Sequence, residues 1–386
     1  MLIVHIILAT IAVGVLASRP RSTYAALLVA LAGLVDALLG TPAVPVLAVI
    51  APLVAFLAAA LTLASLVERS GLAERAACAL AAAAHGRSLT LYILVCVVCA
   101  LATAAVSLDG AVVLMIPLLV VLARRFRAPF TPLFLGAVVV ANAASIAVPQ
   151  GNPTNLVIIN RLGLSATTFL GHMLIPGIAA AVICAVGVAL SERQALTARL
   201  CEATPERTPL TTAERHAVIA LTLAALVAWA APILGIAPWW PFTAAVAIAL
   251  AVRRERPRLT IPWRIAIQVG GLLIVTQALG LTVRASAVGG LPELLAVAAS
   301  IGAAYALANN LPVSVCATGV LTAGAPAYAA SVGLAVGSLA MPQGSVATLI
   351  ASQLAGSTAP PLKARLFAPL AAAGVLIATL ALWANP

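Results

Sequence analysis

Two aspartates occur in the chain, Asp36 and Asp109, and both lie inside apolar runs. An aspartate at the centre of a membrane helix costs about 2.5–3.5 kcal/mol on an insertion scale, so such carboxylates usually serve as proton relays or ion ligands. Asp109 falls in the turn Ser107-Leu108-Asp109-Gly110, whereas Asp36 lies four residues before Gly40, near a boundary where water is within reach. Asp109 is therefore read as the working carboxylate and Asp36 as a bland one. A second chemistry comes from two polar interruptions, AVPQGNPTNLVI at 147–158 and AMPQGSVATLIA at 340–351. In the first, Asn152 is a good N-cap and Pro153 suits the first helical position. A helix starting there presents free N–H groups and its positive dipole end. Carbonyls released around Val148 to Gln150 are predicted to coordinate a cation or a hydroxyl-bearing solute. In the second, Ser345 takes the N-cap role, with Thr348 one turn along. Each interruption follows a polar turn, Ser107 to Gly110 in one case and Asn309-Asn310-Leu311-Pro312 in the other. A kink alone is common in membrane helices, but two related breaks rich in Asn, Gln, Ser and Thr read as a binding site. Gln268, Gln277 and Tyr305 read as helix–helix contacts.

The elements that must hold these residues follow from composition. Of 386 residues, 63% are apolar and 8% charged, against about 25% charged in a soluble domain. That excludes a soluble globule, and it excludes a disordered chain, which would be charged and poor in apolar residues. The formal charge of +11 sits in short clusters between apolar runs. No segment is polar enough for a nucleic-acid-binding face, so the clusters mark positive-inside topology. Spans of about 20 residues are predicted at 2–18, 23–40, 45–66, 170–190, 216–236, 237–252, 263–283 and 366–384. Interrupted crossings are predicted at 131–160 and 326–355, and helix pairs at 89–123 and 287–323. With Arg19 and Arg21 cytoplasmic, the clusters Arg69–Arg87, Arg124–Arg127, Arg193–Arg215, Arg253–Arg264 and Lys363–Arg365 share that side. The stretch 191–215 is the only sizeable polar one.

The predicted fold is thus an all-α polytopic membrane protein. It has two inverted repeats of five transmembrane helices, each with a re-entrant helical hairpin and one discontinuous helix. Residues 1–190 form the N-terminal repeat, 191–215 a cytoplasmic linker and 216–386 the inverted C-terminal repeat. Inverted halves are recurrent in secondary transporters, with solute bound at the midplane between them. The six cysteines are scattered and read as small buried hydrophobes, apart from Cys201. No His-Glu-x-x-His, P-loop or nucleotide fingerprint occurs, so no enzyme activity, catalytic residue, cofactor or metal is expected.

Several stretches taken in order resemble the bacterial arsenite-efflux permeases (ArsB type) of the ion transporter superfamily, over most of the chain from about Leu66 onward. They are LVERSGLAERAACALAAAAHGR (66–87), VSLDGAVVLMIPLLVVLARR (106–125), ANAASIAVPQGNPTNLVII (141–159), PWRIAIQVGGLLIV (262–275), ALANNLPVSV (306–315) and MPQGSVATLIASQL (341–354). The family's Asn-Asp-Gly turn resembles Leu108-Asp109-Gly110, and its Ser-Asn-Leu-x-Asn break resembles Gly151 to Asn155 with both asparagines kept. Its Asn-Asn-x-Pro turn is matched by Asn309, Asn310 and Pro312, and its Pro-x-Gly-Ser-x-Ala-Thr-Leu stretch by Pro342 to Leu349. The acidic Asp-Leu-Gly-Pro-Lys run before that stretch is replaced by Leu334-Ala335-Val336-Gly337-Ser338. The resemblance implies export of arsenite or antimonite as the neutral trihydroxide, coupled to proton entry or to a partner ATPase. Related branches carry dicarboxylates, citrate, sulfate or sodium.

The leading expectation is a proton-coupled exporter of a small oxygen-rich solute of the arsenite or antimonite type, in the bacterial inner (plasma) membrane. Its binding residues would be Asp109, Gly110, Asn152, Thr154, Asn155, Asn309, Asn310, Gln343, Gly344, Ser345 and Thr348. The alternative is a sodium- or proton-coupled symporter of a carboxylate or inorganic anion, suited by two half-helix N-termini. A remote third is an intramembrane aspartyl protease using Asp36 and Asp109. The partners expected are the solute, H+ or Na+ and the lipid bilayer, with a homodimer and a separate ATPase subunit as further options and no nucleic acid.

Overall fold

In the computed structural model every regular element is helical. The structure describes residues 2–18, 23–42, 44–201, 209–236, 239–251, 261, 263–278, 289–308, 310–341 and 345–385. Gln268 and Gln277 have described backbone only, and Arg19 and Arg21 lie outside the described residues. In chain order the helices are α1 (Leu2–Ser18), α2 (Thr23–Leu38), α3 (Val44–Arg69), α4 (Leu72–Ala83), α5 (Ser88–Phe126), α6 (Phe130–Ala144), α7 (Pro153–Leu162) and α8 (Ala166–Ser191). They continue as α9 (Thr212–Ile233), α10 (Trp239–Ala251), α11 (Trp263–Ala278), α12 (Leu291–Ala308), α13 (Asn310–Val320), α14 (Ala325–Ala335), α15 (Val346–Ala355) and α16 (Ala364–Trp383).

Long Ala/Leu/Val/Ile runs form helices here because a helix satisfies its own backbone where no water can. Five helices among the described residues are long and apolar enough to cross a membrane: those containing 46–67, 88–126, 166–191, 212–231 and 364–383. The outer surface is as apolar as the inside, with Leu27, Leu31 and Leu34 of α2 more than half exposed. Lipid is as apolar as leucine, so such helices associate by close approach at small residues rather than by burying hydrophobic area. At the α2–α11 crossing a Cβ added to Gly33 would stand 2.6 Å from Gly271 Cα. The two backbones touch, and any larger residue would separate them.

The 39-residue α5 is a hairpin. As one straight rod it would be about 58 Å long, yet consecutive residues pin its two ends. Gly86, just before it, accepts a bond from the N–H of Leu200 (3.0 Å), and Phe126, its last residue, accepts one from the N–H of Cys201 (3.1 Å). The fold-back lies at Ser107, whose φ of 77° and ψ of 167° are not helical. The arms are 88–106 and 108–126, and Asp109 stands at the tip.

Two segments share another design, in which a helix stops, a 3-10 turn follows and a second helix starts. α6 gives way to the turn Pro149–Gly151 and then to α7; α14 gives way to the turn Gly337–Ala340 and then, beyond residues outside the described set, to α15. The packing of these pieces is reciprocal. α5 packs on α15 and α13 on α7; α3 packs on α10 and α2 on α11; α6 packs on α8 and α14 on α16, while α8 and α16 pack on each other.

One expectation is corrected. Asp36 is fully buried rather than close to water, because His5 of α1 meets it, Nδ1 to Oδ1, at 2.6 Å. Desolvating a carboxylate is tolerable when a polar partner comes with it. The basic stretch 69–87 holds α4, whose Arg75 bonds both carboxylate oxygens of Glu214 in α9 (2.8 and 3.2 Å). Glu214 and Thr211 close a reciprocal cap on α9, each backbone N–H donating to the other's side chain. The start of the 191–215 stretch is anchored to the hairpin: besides the bonds at 200 and 201, Ser88 Oγ donates to Ala198 O (2.6 Å).

Candidate functional site

At the hairpin tip Ser107 is held at positive φ, a costly conformation for a side-chain-bearing residue that persists only where surroundings enforce it. Ser107 is fully buried and its hydroxyl has no partner among the described residues. Asp109, two residues on, is 7% exposed. Unlike Asp36, its carboxylate makes no hydrogen bond or ion pair to any described residue. Gly110 lets the turn pass close to α3: a Cβ there would be 3.1 Å from Val106 Cγ2 and 3.8 Å from Ala60 O.

The first break is rebuilt by its own amides. Asn152, extended at φ −141°, caps α7 by accepting from Thr154 N–H on Oδ1 (3.0 Å), and its Nδ2 donates to Ser145 Oγ (3.1 Å). Pro153 follows at the first helical position, as the sequence predicts. Asn155 Nδ2 donates twice, to Ser145 O (2.9 Å) and Val148 O (3.0 Å). Gly151 has no room for a side chain, because a Cβ there would overlap the carbonyl of Ser145. The Val148 carbonyl, expected to be free for a ligand, is thus engaged by Asn155 and also by the N–H of Gly151 (3.0 Å). What the break leaves free are side-chain oxygens rather than that backbone carbonyl.

Two contacts join the segments. Gln150 Nε2 donates to Ala104 O on the first hairpin arm (2.9 Å). Asn142, near the end of α6, donates from Nδ2 to Val138 O (2.8 Å) and reaches Thr348 Oγ1 of α15 at 3.4 Å. Ser345 occupies the N-cap position of α15 as expected, extended at φ −117°, but its side chain makes no capping bond.

The result is a concentration of unpaired oxygen. Buried side-chain oxygens without a partner among the described residues are Ser107 Oγ, Asn142 Oδ1, Gln150 Oε1, Thr154 Oγ1, Asn155 Oδ1 and Ser345 Oγ, together with Asp36 Oδ2 far away in sequence. Buried polar atoms are normally paired, and leaving one unpaired costs about 1–3 kcal/mol. Six such atoms lie on the hairpin tip, at the end of α6 and at the two adjoining breaks. The three amide oxygens are pure acceptors, suited to a cation or a hydroxyl; the three hydroxyls can donate or accept.

Of the residues predicted for the site, Asp109 and Gly110 lie on α5, Asn152, Thr154 and Asn155 at the start of α7, and Ser345 and Thr348 at the start of α15. α5 packs both on α15 and on the turn Pro149–Gly151. Asn310 opens α13, which packs on α7, and its side chain is not described. Asn309, Gln343 and Gly344 lie outside the described residues. Asn142, Ser107 and Gln150 were not singled out as ligands from sequence. The available signal was a lone Asn in the Ala-rich ANAAS, four residues before the break region, which reads more readily as a helix contact.

The family model CitMHS, described as citrate transporter, matches residues 7–341. The match takes in the hairpin, the first break, α14 and the approach to the second break. The chain belongs to the CitMHS family. It is accordingly a multi-pass membrane transporter of the ion transporter superfamily and not an enzyme. The resemblance seen in the sequence holds for the superfamily, while the family that matches is the citrate branch rather than the arsenite one. No curated protein matches the chain.

Proposed function

We propose that this protein is a cation-coupled symporter of citrate or a citrate-like carboxylate, with its site at the α5 tip and the α7 and α15 N-termini. The observation that carries the reading is the family match over residues 7–341, which favours the anion alternative over metalloid efflux. The chemistry of the site supports it. Carboxylates want N–H and O–H donors, which the two helix N-termini supply along with the hydroxyls of Ser107, Thr154, Ser345 and Thr348. The acceptor oxygens of Asn142, Gln150 and Asn155 would oppose a bare anion, but they suit a coupling cation or the substrate's own hydroxyl. Asp109, unpaired and at the tip, is the proton carrier or cation ligand in this scheme. Asn152 acts chiefly by holding the α7 N-terminus in place, and Gly110 by letting the tip turn. Asn309, Asn310, Gln343 and Gly344 would close the site from the second half.

The architecture proposed for it is the pair of inverted repeats, 1–190 and 216–386 about the linker 191–215, in the bacterial inner membrane. Its support is the reciprocal packing: several contacts of one half have a counterpart in which the roles are exchanged, such as α5 with α15 against α13 with α7. Each half also contains a helix, 3-10 turn and helix in the same order.

Uptake of labelled citrate into proteoliposomes, under imposed proton or sodium gradients, tests the function. Uptake driven by one gradient and reduced to background by Asp109→Asn is expected. Citrate movement equal to that of empty liposomes, with arsenite released instead, would return the protein to the metalloid reading. A neutral trihydroxide would also satisfy three acceptor oxygens.

A further inference from the structure

Away from the site, the first hairpin arm and α8 leave an apolar groove between them. Leu89, Ile93, Val97 and Leu101 stand along one wall at four-residue spacing, which places them on one helix face. Facing them in the opposite direction are Leu190, Val186, Val182 and Ile178 of α8. All eight are 45–68% exposed, and α6 closes the floor with Val140 and Ala144. The groove has a volume of about 550 Å³. From Leu89 to Ala104 it runs about 22 Å along the arm, more than half of the roughly 30 Å hydrocarbon core. That is the reach of an acyl chain from one leaflet.

At the end marked by Leu89 the groove continues into a second cavity of different character. This one, about 760 Å³, is lined by His85, Arg87, Ser88, Thr197 and Arg199, and Leu89 belongs to both. Arg87 and Arg199 face each other across an isolated antiparallel bridge. Like charges directly opposite on paired strands are destabilising, and neither arginine has a carboxylate partner among the described residues. The backbone holds them together all the same, through Leu200 N–H to Gly86 O and Ser88 Oγ to Ala198 O. The first turn of α5 starts at the same place, adding its free N–H groups to the positive field. Two opposed guanidiniums ask for an anion with several oxygens, and the groove beside them asks for a hydrocarbon chain.

We propose that this composite cleft binds an anionic phospholipid, with the phosphate between Arg87 and Arg199 and one acyl chain laid between the hairpin arm and α8. Basic pockets between helices on the positive-inside face are where anionic headgroups are held. The bound lipid would brace the outer side of the arm whose tip carries Ser107 and Asp109. The inner end of the groove reaches Ala104 and Val148, whose carbonyls hold Gln150 and Asn155, but the cleft takes in none of the unpaired oxygens of that site.

The test is lipid-dependent thermal stabilisation of the full-length protein, purified and delipidated in a neutral detergent. Cardiolipin or phosphatidylglycerol is titrated against phosphatidylcholine, and inorganic phosphate and glycerol phosphate serve as headgroup-only probes. The expected result is a saturable rise in Tm with the anionic lipids alone. In Arg87→Gln/Arg199→Gln the half-saturating concentration should rise about tenfold to thirtyfold. Arg124→Gln, an exposed arginine in the last turn of α5, should leave it unchanged. Val97→Trp, which fills the groove, should weaken lipid binding with both arginines intact. Equal stabilisation by phosphatidylcholine, or full affinity in the double arginine variant, overturns the proposal. Saturation by inorganic phosphate with the whole Tm rise would also overturn it, leaving a simple anion site. Both arginines are exposed, so their loss does not endanger the fold, and the unliganded Tm of each variant checks this directly.

Discussion

The two Pro-Gln-Gly segments use the same device with different bracing. In the first, the amide at Asn152 caps α7 and ties back to Ser145, and the amide at Asn155 holds the Ser145 and Val148 carbonyls. In the second, the corresponding positions are Ser345 and Thr348. Ser345 makes no capping bond, and Thr348 meets Asn142 only at 3.4 Å. An asparagine side chain reaches two carbonyls at once, whereas a serine or threonine hydroxyl carries a single proton to donate. The first break is therefore braced by its own amides, while Thr154 Oγ1 and Asn155 Oδ1 stay unpaired. Among the described residues of the second, the side chains of Ser345 and Thr348 do not brace the backbone in that way. In the site proposed above, the first break would supply shape and the second recognition.

That division is open to mutation. The largest effect should come from Asn155→Ala, which removes two buried bonds and leaves the Ser145 carbonyl unpaired, for a loss of about 2–4 kcal/mol. Denaturant or thermal unfolding in detergent measures it, and a loss below that of Thr348→Ala would reverse the comparison. Gly151→Ala comes next at about 1–3 kcal/mol, since its Cβ must displace the Ser145 carbonyl and shift the start of α7. Asn152→Ala should cost about 1 kcal/mol, the usual value of an N-cap. Ser345→Ala should change stability by less than about 0.5 kcal/mol, yet raise the KM for substrate in the proteoliposome assay. If it instead unfolds the protein as readily as Asn152→Ala, the second break is braced after all.

Helix placement was legible because apolar runs and basic clusters alternate, and the breaks were legible because Asn-Pro and the repeated Pro-Gln-Gly interrupt those runs. The hairpin was inferred from length, since 35 residues are too few for two spans and a loop, and the pinned ends of α5 give it a geometric basis. Burial and pairing were much less visible. The turn around Asp109 set it apart from Asp36 in the sequence, but nothing there showed that Asp36 is buried against His5, a partner 31 residues away across a helix crossing. A contact of that kind leaves no local signal. Asn142 was overlooked for a similar reason: nothing in ANAAS shows that one amide oxygen stays unpaired. The Val148 carbonyl was read as free because its neighbour in space, Asn155, had already been given to the ligand.

The clasp at the base of α5 also has a bearing on how the chain is made. The hairpin's last residue, Phe126, leaves the ribosome about 75 residues before Cys201, the residue that closes its base. At a synthesis rate of about 5–20 residues per second, that is an interval of about 4–15 s. Through that interval the arms have each other, α3, α4 and α6 to pack on, but no segment across their open end. Membrane insertion of the first half and completion of its hairpin are therefore separate events, and the second is timed by the linker's emergence.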